Sequence, residues 1–234
     1  MRPAALAVAL VLGGCGGDER GGEAVVVFAA SSLADVAPEI DARATVVLAG
    51  SNDLAAQLRD GASADVFLAA SARPVSELEA DGLVEEAQVF ASNRLVIIVP
   101  AANPAGIETL DDLARSGVKL VVGAPGVPIG DYARQALRGH GALAQVVSLE
   151  EDVKGVVGKV TLGEADAGIV YATDARAAGE AVRTVPISAS RQPEIAYHAA
   201  LVSPPSDRGR AYVDRLLGAQ GRAALALAGF LPPP

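Results

Sequence analysis

From residue 25 onward the sequence alternates between two hydrophobic periods, and this constrains its fold more than any other feature. Val25-Val26-Val27-Phe28 is an unbroken β-branched and aromatic run, the pattern of a strand buried on both faces. Leu33, Val36, Ala37 and Ile40 then fall at i, i+3, i+4 and i+7, one face of a helix. Pro38 removes a hydrogen bond from that helix and predicts a kinked or brief one. The alternation continues with a strand over 45–48, a helix over 54–59 stopped near Gly61, a strand over 66–69, and a helix opened by Pro74 and ended by Gly82. A buried strand follows at Leu95–Val99, then a helix over 110–116, a strand over 119–122 and a helix carrying Tyr132, Ala136 and Leu137. Val153, Val156, Val157 and Val160 repeat at helical spacing. Strands are predicted at Ile169–Tyr171, near 182–187 and over Ile195–Leu201, and two helices close the chain. Such alternation implies βαβ units, and about nine strands are many for one twisted sheet in a chain this short. The reading is an α/β protein with two lobes, each a mostly parallel sheet flanked by helices. The first lobe takes 24–94 with 199–234 and the second 95–198, with hinge strands near 95–99 and 195–201.

The first residues read as an address. Arg2 precedes the apolar run Ala4 to Leu12, which is shorter than the roughly 20 residues of a membrane-spanning helix. It suits the core of an export signal, followed by Leu12-Gly13-Gly14-Cys15. Small residues before a lone Cys resemble the lipobox of bacterial lipoproteins. That resemblance implies a signal peptide over 1–15, lipid attachment at Cys15, a Gly-rich flexible tether over 16–23, and an extracytoplasmic protein held to the membrane by lipid alone. A plain signal peptide with a fortuitous Cys is the alternative.

Composition narrows function mainly by exclusion. Nineteen Lys and Arg against 28 Asp and Glu give a net charge of −9, the opposite of the balance that drives nucleic-acid binding. Aromatics are 3% with no Trp, so base-stacking platforms are not expected. His140, His198 and Cys15 are too few for a structural zinc site, one thiol cannot form a disulfide within the chain, and no cofactor is expected.

The chemistry gathers in loops that follow strands and open helices, where free N–H groups and a partial positive charge suit anions. Ala29-Ala30-Ser31-Ser32 and Ala49-Gly50-Ser51-Asn52 place hydroxyls there, although either could be a simple N-cap. Gly126-Val127-Pro128-Ile129-Gly130 permits positive φ and close backbone approach, as an ordinary turn also would. Glu150-Glu151-Asp152 reads as a solvated, dipole-favoured helix start, and Tyr171 ends a buried strand where packing alone could explain it.

Taken in order, Phe-Ala-Ala-Ser-Ser-Leu, Ala-Gly-Ser-Asn-Asp-Leu, Ala-Asp-Val-Phe, Val-Pro-Ile-Gly-Asp-Tyr-Ala, Glu-Asp-Val-Lys-Gly and Gly-Ile-Val-Tyr resemble the periplasmic molybdate-binding proteins of ABC transporters, from about Val25 to Phe230. The resemblance implies a type II periplasmic-binding-protein fold, with the ligand between the lobes, and a monomer that binds molybdate or tungstate and delivers it to a membrane permease. It implies that Ser32 and Ser51 each give a hydroxyl and a backbone N–H, Ile129 and Val153 each a backbone N–H, and Tyr171 its phenol. These are seven neutral donors, each worth about 1.5–3 kcal/mol to a charged acceptor before closure and desolvation costs. Ile129 stands where relatives often carry Ala, a larger side chain that would narrow the site. The link over 41–45 is shorter than usual for the family. Rival readings are a sulfate- or phosphate-type receptor, an enzyme whose base would be His140 or His198, and a regulator's sensing domain, the last disfavoured by the export signal.

Overall fold

The computed structural model describes residues 24–234; the leader, Cys15 and the tether lie outside the described residues. Two five-stranded sheets form the frame. The first contains β1 (Val26–Ala30), β2 (Thr45–Ala49), β3 (Val66–Ala69), β4 (Val84–Ser92) and β10 (Ala196–Val202), in the order β2-β1-β3-β10-β4. The second contains β5 (Leu95–Pro100), β6 (Leu120–Gly123), β7 (Val146–Glu150), β8 (Ala167–Tyr171) and β9 (Val182–Pro186), in the order β7-β6-β8-β5-β9. In each sheet one strand runs against its neighbours: β10 is antiparallel to β3 and β4, and β5 to β8 and β9. Four strands of each sheet therefore share a direction, with βαβ connections between them. The fold is a two-lobed α/β structure, as its sequence pattern implies, and of the periplasmic-binding-protein type that the resemblance implies.

The reversed strands are where the chain changes lobe. It leaves β4 through Asn93 and Arg94 to enter β5, and returns from β9 through residues 187–195 to enter β10. The expected hinge strands at 95–99 and 195–201 are thus interior strands of the two sheets, and the expected boundary at 198/199 falls inside β10. The crossings lie just before each reversed strand, and Gln192 ties them together: its Nε2 donates to Leu95 O at 2.8 Å while Leu95 N donates to its Oε1 at 2.8 Å.

The fully buried runs β1, β3, β5, β6 and β8 follow the apolar sequence runs. β4 and β7 carry no such run and were not anticipated. Each lies at a sheet edge and is only partly buried, and its sequence mixes polar and apolar residues. The first expected helix is broken into a 3-10 turn over Ser31–Leu33 and a four-residue α1 (Ala37–Ile40), with Pro38 at its start. The short link after it is closed by Asp41, which accepts Arg43 N at 3.0 Å through its side chain and Ala44 N at 2.9 Å through its carbonyl. The expected helix over 110–116 is a 3-10 turn over Asp111–Ala114.

The remaining helices are α2 (Ser51–Arg59), α3 (Ala72–Ala80), α4 (Pro128–Ala136), α5 (Val153–Thr161), α6 (Ala172–Ala178), α7 (Asp207–Leu217) and α8 (Ala219–Ala228). None of the described helices is long and apolar enough to cross a membrane.

Candidate functional site

Six strand-to-helix junctions converge on one small cavity between the lobes. It is lined by Ala30, Ser31 and Ser32 after β1, Ala49, Gly50 and Ser51 after β2, Ala70 after β3, Val127, Pro128 and Ile129 at α4, Asp152 and Val153 at α5, and Tyr171 at α6. Its volume is about 20 Å³, on a scale where roughly 10–15 Å³ holds one water. The lining includes no Lys, Arg or His. Its one carboxylate, Asp152, is turned to its own helix, accepting Gly155 N at 2.8 Å as an N-cap.

The serines are not caps. The N-cap positions of the 3-10 turn and of α2 are Ala30 and Gly50, so Ser31, Ser32 and Ser51 stand inside the first turns. No side chain caps α2, α4 or α6. Their first-turn N–H groups have no acceptor within the helix, and each carries the positive end of a helix dipole. Ser51 Oγ accepts Ala70 N at 3.1 Å, and Ser32 Oγ lies 2.9 Å from the Tyr197 hydroxyl. Both serines are buried.

All five expected binding residues, Ser32, Ser51, Ile129, Val153 and Tyr171, line this cavity. Ile129 lines the cavity and packs its side chain against the end of β6. A Cβ on Gly123 would stand 2.7 Å from Ile129 Cγ2, so the Ile side chain occupies the space that glycine leaves at the end of β6. Glu150 is half-buried and accepts the Ser148 hydroxyl at 2.5 Å. The phenol of Tyr171 is buried and its oxygen has no hydrogen-bond partner. Burial, with neighbouring Tyr197, Tyr132 and Asp174 adding to it, holds that phenol protonated, well above its ordinary pKa. A buried O–H without a partner is costly.

The lobes touch across the cavity. A Cβ on Gly50 would stand 2.6 Å from the carbonyl oxygen of Glu151 in the other lobe, and Arg73 Nη1 lies 3.6 Å from Asp131 Oδ2 across the cleft. This is a closed arrangement. It brings Asp53 beside Glu151 and Asp152, and burial together with those two charges raises its pKa.

Sequence reasoning missed Tyr197 and Asp174. Tyr197 sits in the returning strand, with its ring edge-on to Tyr171 at 5.8 Å. A tyrosine in an otherwise apolar strand needs a partner for its hydroxyl, and that was the available signal. Asp174, in the first turn of α6, reads from sequence as a dipole-favoured surface acid. It is 2% exposed, with Lys154 Nζ at 3.1 Å from Oδ1, yet neither carboxylate oxygen makes a well-aligned hydrogen bond. Burial raises its pKa to about 6 against the pull of Lys154, with Asp35 and Asp152 adding to the rise. The native protein therefore keeps this proton up to about pH 6, whereas the unfolded chain releases it near 3.8. The stability it contributes is full below about pH 4 and is lost as pH rises through about 6, a change on the order of 3 kcal/mol. Asp174→Asn is expected to flatten melting temperature against pH in that window, and an unchanged slope would show that another group titrates there.

Two α/β lobes that close on a small cavity ringed by helix N-termini, with no Lys, Arg or His in its lining, define a receptor for a small solute. Residues 25–231 match the family model of bacterial extracellular solute-binding proteins. The chain belongs to that family and, within it, to the group of the molybdate-binding protein ModA. The molybdate-binding protein ModA of Mycobacterium tuberculosis is 35% identical over 234 residues, covering 93% of this chain and 88% of the relative. That of Escherichia coli is 32% identical and covers 88% of each. The solved structure of the Azotobacter vinelandii periplasmic molybdate-binding protein superposes with a TM-score of 0.79 over 90% of this chain and 100% of its own, at 18% identity.

Proposed function

We propose that this protein captures molybdate, or tungstate, outside the cytoplasm and hands it to the permease of an ABC importer. The observation that carries the reading is the buried, unpartnered Tyr171 hydroxyl facing a small cavity ringed by helix N-termini. Four acceptor oxygens and no proton are what such a ring of neutral donors can satisfy. The binding set is Ser32 and Ser51 through hydroxyl and N–H, Ile129 and Val153 through N–H, and Tyr171 through its phenol. The donors are fixed in number and position, so the site discriminates by anion size and protonation without using net charge. The function is binding without turnover. His140 bonds Asp111 at 3.0 Å and accepts from Ala142 N, and neither His lines the cavity. We further propose a monomer anchored by lipid at Cys15, which labelling with a radioactive fatty acid would reveal and Cys15→Ala would abolish.

Isothermal titration of residues 23–234 with molybdate, tungstate, sulfate and phosphate tests the reading. Micromolar or tighter binding of molybdate and tungstate, with the other two weaker, is expected. Preference for sulfate would make this a receptor of the rival oxyanion class. Tyr171→Phe is expected to weaken molybdate binding by about 1.5–3 kcal/mol without lowering the melting temperature, because an unpaired buried hydroxyl is removed. A lower melting temperature with unchanged affinity would return Tyr171 to a packing role.

A further inference from the structure

The rim of the closed cleft carries charges that the binding set does not use. Where α2 meets the start of α5, one lobe is pressed on the other: a Cβ on Gly50 would stand 2.6 Å from Glu151 O and 2.9 Å from Asp53 Oδ2. Asp53, in the first turn of α2, is thereby held half-buried against Glu151 and Asp152, the acidic pair that opens α5. Its Oδ1 accepts from Asn52 Nδ2 at 2.9 Å, and no Lys or Arg among the described residues pairs with it.

The nearby cations are committed elsewhere. Lys154, in the first turn of α5, lies 3.1 Å from Asp174 Oδ1. On α3, which packs against α2, Arg73 donates to Glu77 at 2.9 Å and faces Asp131 across the cleft at 3.6 Å. Arg59, at the far end of α2, donates to Asp81 at 2.7 Å. Burial raises the pKa of Asp53, and the charges that add to the rise are Glu151 and Asp152 of the other lobe.

A carboxylate brought from water into this contact is less favourable when ionised. The contact joins the two lobes, so its cost belongs to the closed state. Ligand is held in that state, and the cost is subtracted from affinity. The opposite-charge contact between Arg73 and Asp131 is largely exposed, and such a pairing is worth little.

We propose that Asp53 sets how firmly the closed protein retains its ligand: its carboxylate, pressed against Glu151 and Asp152 of the other lobe, works against closure and speeds release. This rests on the reading above, of an anion held between closed lobes. The closed form then takes up a proton at Asp53 more readily than the open form, so affinity rises as pH falls from neutral toward the carboxylate range.

The test is titration and stopped-flow release of molybdate from residues 23–234 in four forms: the parent, Asp53→Asn, Glu151→Gln and the double variant. Asp53→Asn keeps the side-chain shape and is expected to tighten binding about 2- to 5-fold, chiefly through slower release. Glu151→Gln is expected to act in the same direction and to add nothing in the Asp53→Asn background, because both remove one contact. It also reads the same repulsion if Asp53→Asn does not fold. Between about pH 7 and pH 5 the parent is expected to gain affinity more steeply than Asp53→Asn. Asp174 titrates in both and cancels in the comparison. Gains that multiply in the double variant would mark a direct repulsion between each carboxylate and the anion, and would overturn the proposal. So would equal affinity in all four forms, or the same pH slope in the parent and Asp53→Asn. Failure of the parent to bind molybdate, tungstate, sulfate or phosphate would instead withdraw the anion reading, and this proposal with it.

Discussion

Gly50→Ala is expected to weaken ligand binding about 5- to 150-fold while leaving the unliganded protein within about 0.5 kcal/mol of its original stability. The backbone at Gly50 has φ −60° and ψ 141°, a conformation that alanine adopts without strain. Within its own lobe the nearest atoms to the new methyl group are the Asp53 and Asn52 side-chain oxygens, at 2.9 and 3.0 Å, and both can rotate away. Across the cleft it meets the Glu151 carbonyl at 2.6 Å, and a backbone oxygen at the start of α5 cannot move without carrying Val153 with it. The clash therefore exists only when the lobes are closed. It acts on the closed population and thus on affinity, because ligand binding draws on the difference between open and closed states. Titration paired with thermal melting in the absence of ligand separates the two terms. Unchanged affinity would mean that the lobes do not meet at Gly50 when ligand is held.

Gly130→Ala should act on the fold itself. A Cβ there would lie 2.1 Å from Ala124 O and 2.4 Å from Gly123 O, both backbone atoms of the turn after β6. Neither can yield cheaply, since Gly123 O also accepts Arg134 Nη1 at 3.1 Å and Ala124 N donates to Glu150 O at 2.8 Å. The first turn of α4 must lift off β6. A loss of about 3 kcal/mol, the upper part of the overpacking range, corresponds to a melting temperature lowered by roughly 6–12 °C in a chain of this size. Ile129 N–H moves with that turn, so affinity is expected to fall as well. A variant that melts within about 2 °C of the parent would show that the turn relaxes more easily than its hydrogen bonds imply.

The contrast between these glycines shows what was legible in the sequence. Gly130 sits in a motif whose spacing already suggested close approach, and its role is local to one strand-helix junction. Gly50 lies beside Ser51 in an equally visible motif, but the atom it makes room for belongs to Glu151 in the other lobe. Strands buried on both faces announced themselves as apolar runs. The edge strands β4 and β7 did not, because polar residues such as Glu85, Gln88 and Ser148 interrupt them. The hydroxyl-bearing loops were readable because short-range physics places them at helix starts. Whether Ser32 and Ser51 cap those helices or face a ligand was not readable, since that depends on Ala30 and Gly50 taking the cap positions. Tyr197 and Asp174 were invisible for a third reason: each is partnered by a residue more than 15 positions away, Ser32 for Tyr197 and Lys154 for Asp174.

The exchange of reversed strands also bears on the order in which the molecule comes into being. The second lobe's sheet is drawn from one continuous stretch, Leu95 to Pro186, and all of its pairings can form once that stretch exists. The first lobe's sheet waits for β10, because β10 is the strand of that sheet to which β4 is bonded, and β10 begins at Ala196. A chain emerging from its amino terminus therefore completes its lobes in reverse: the one it begins is the one it finishes last. Until then β3 and β4 present unpaired edges to their surroundings, where exposed strands invite mispairing. Truncation before Ala196 should leave the carboxyl-side lobe as the better-folded half.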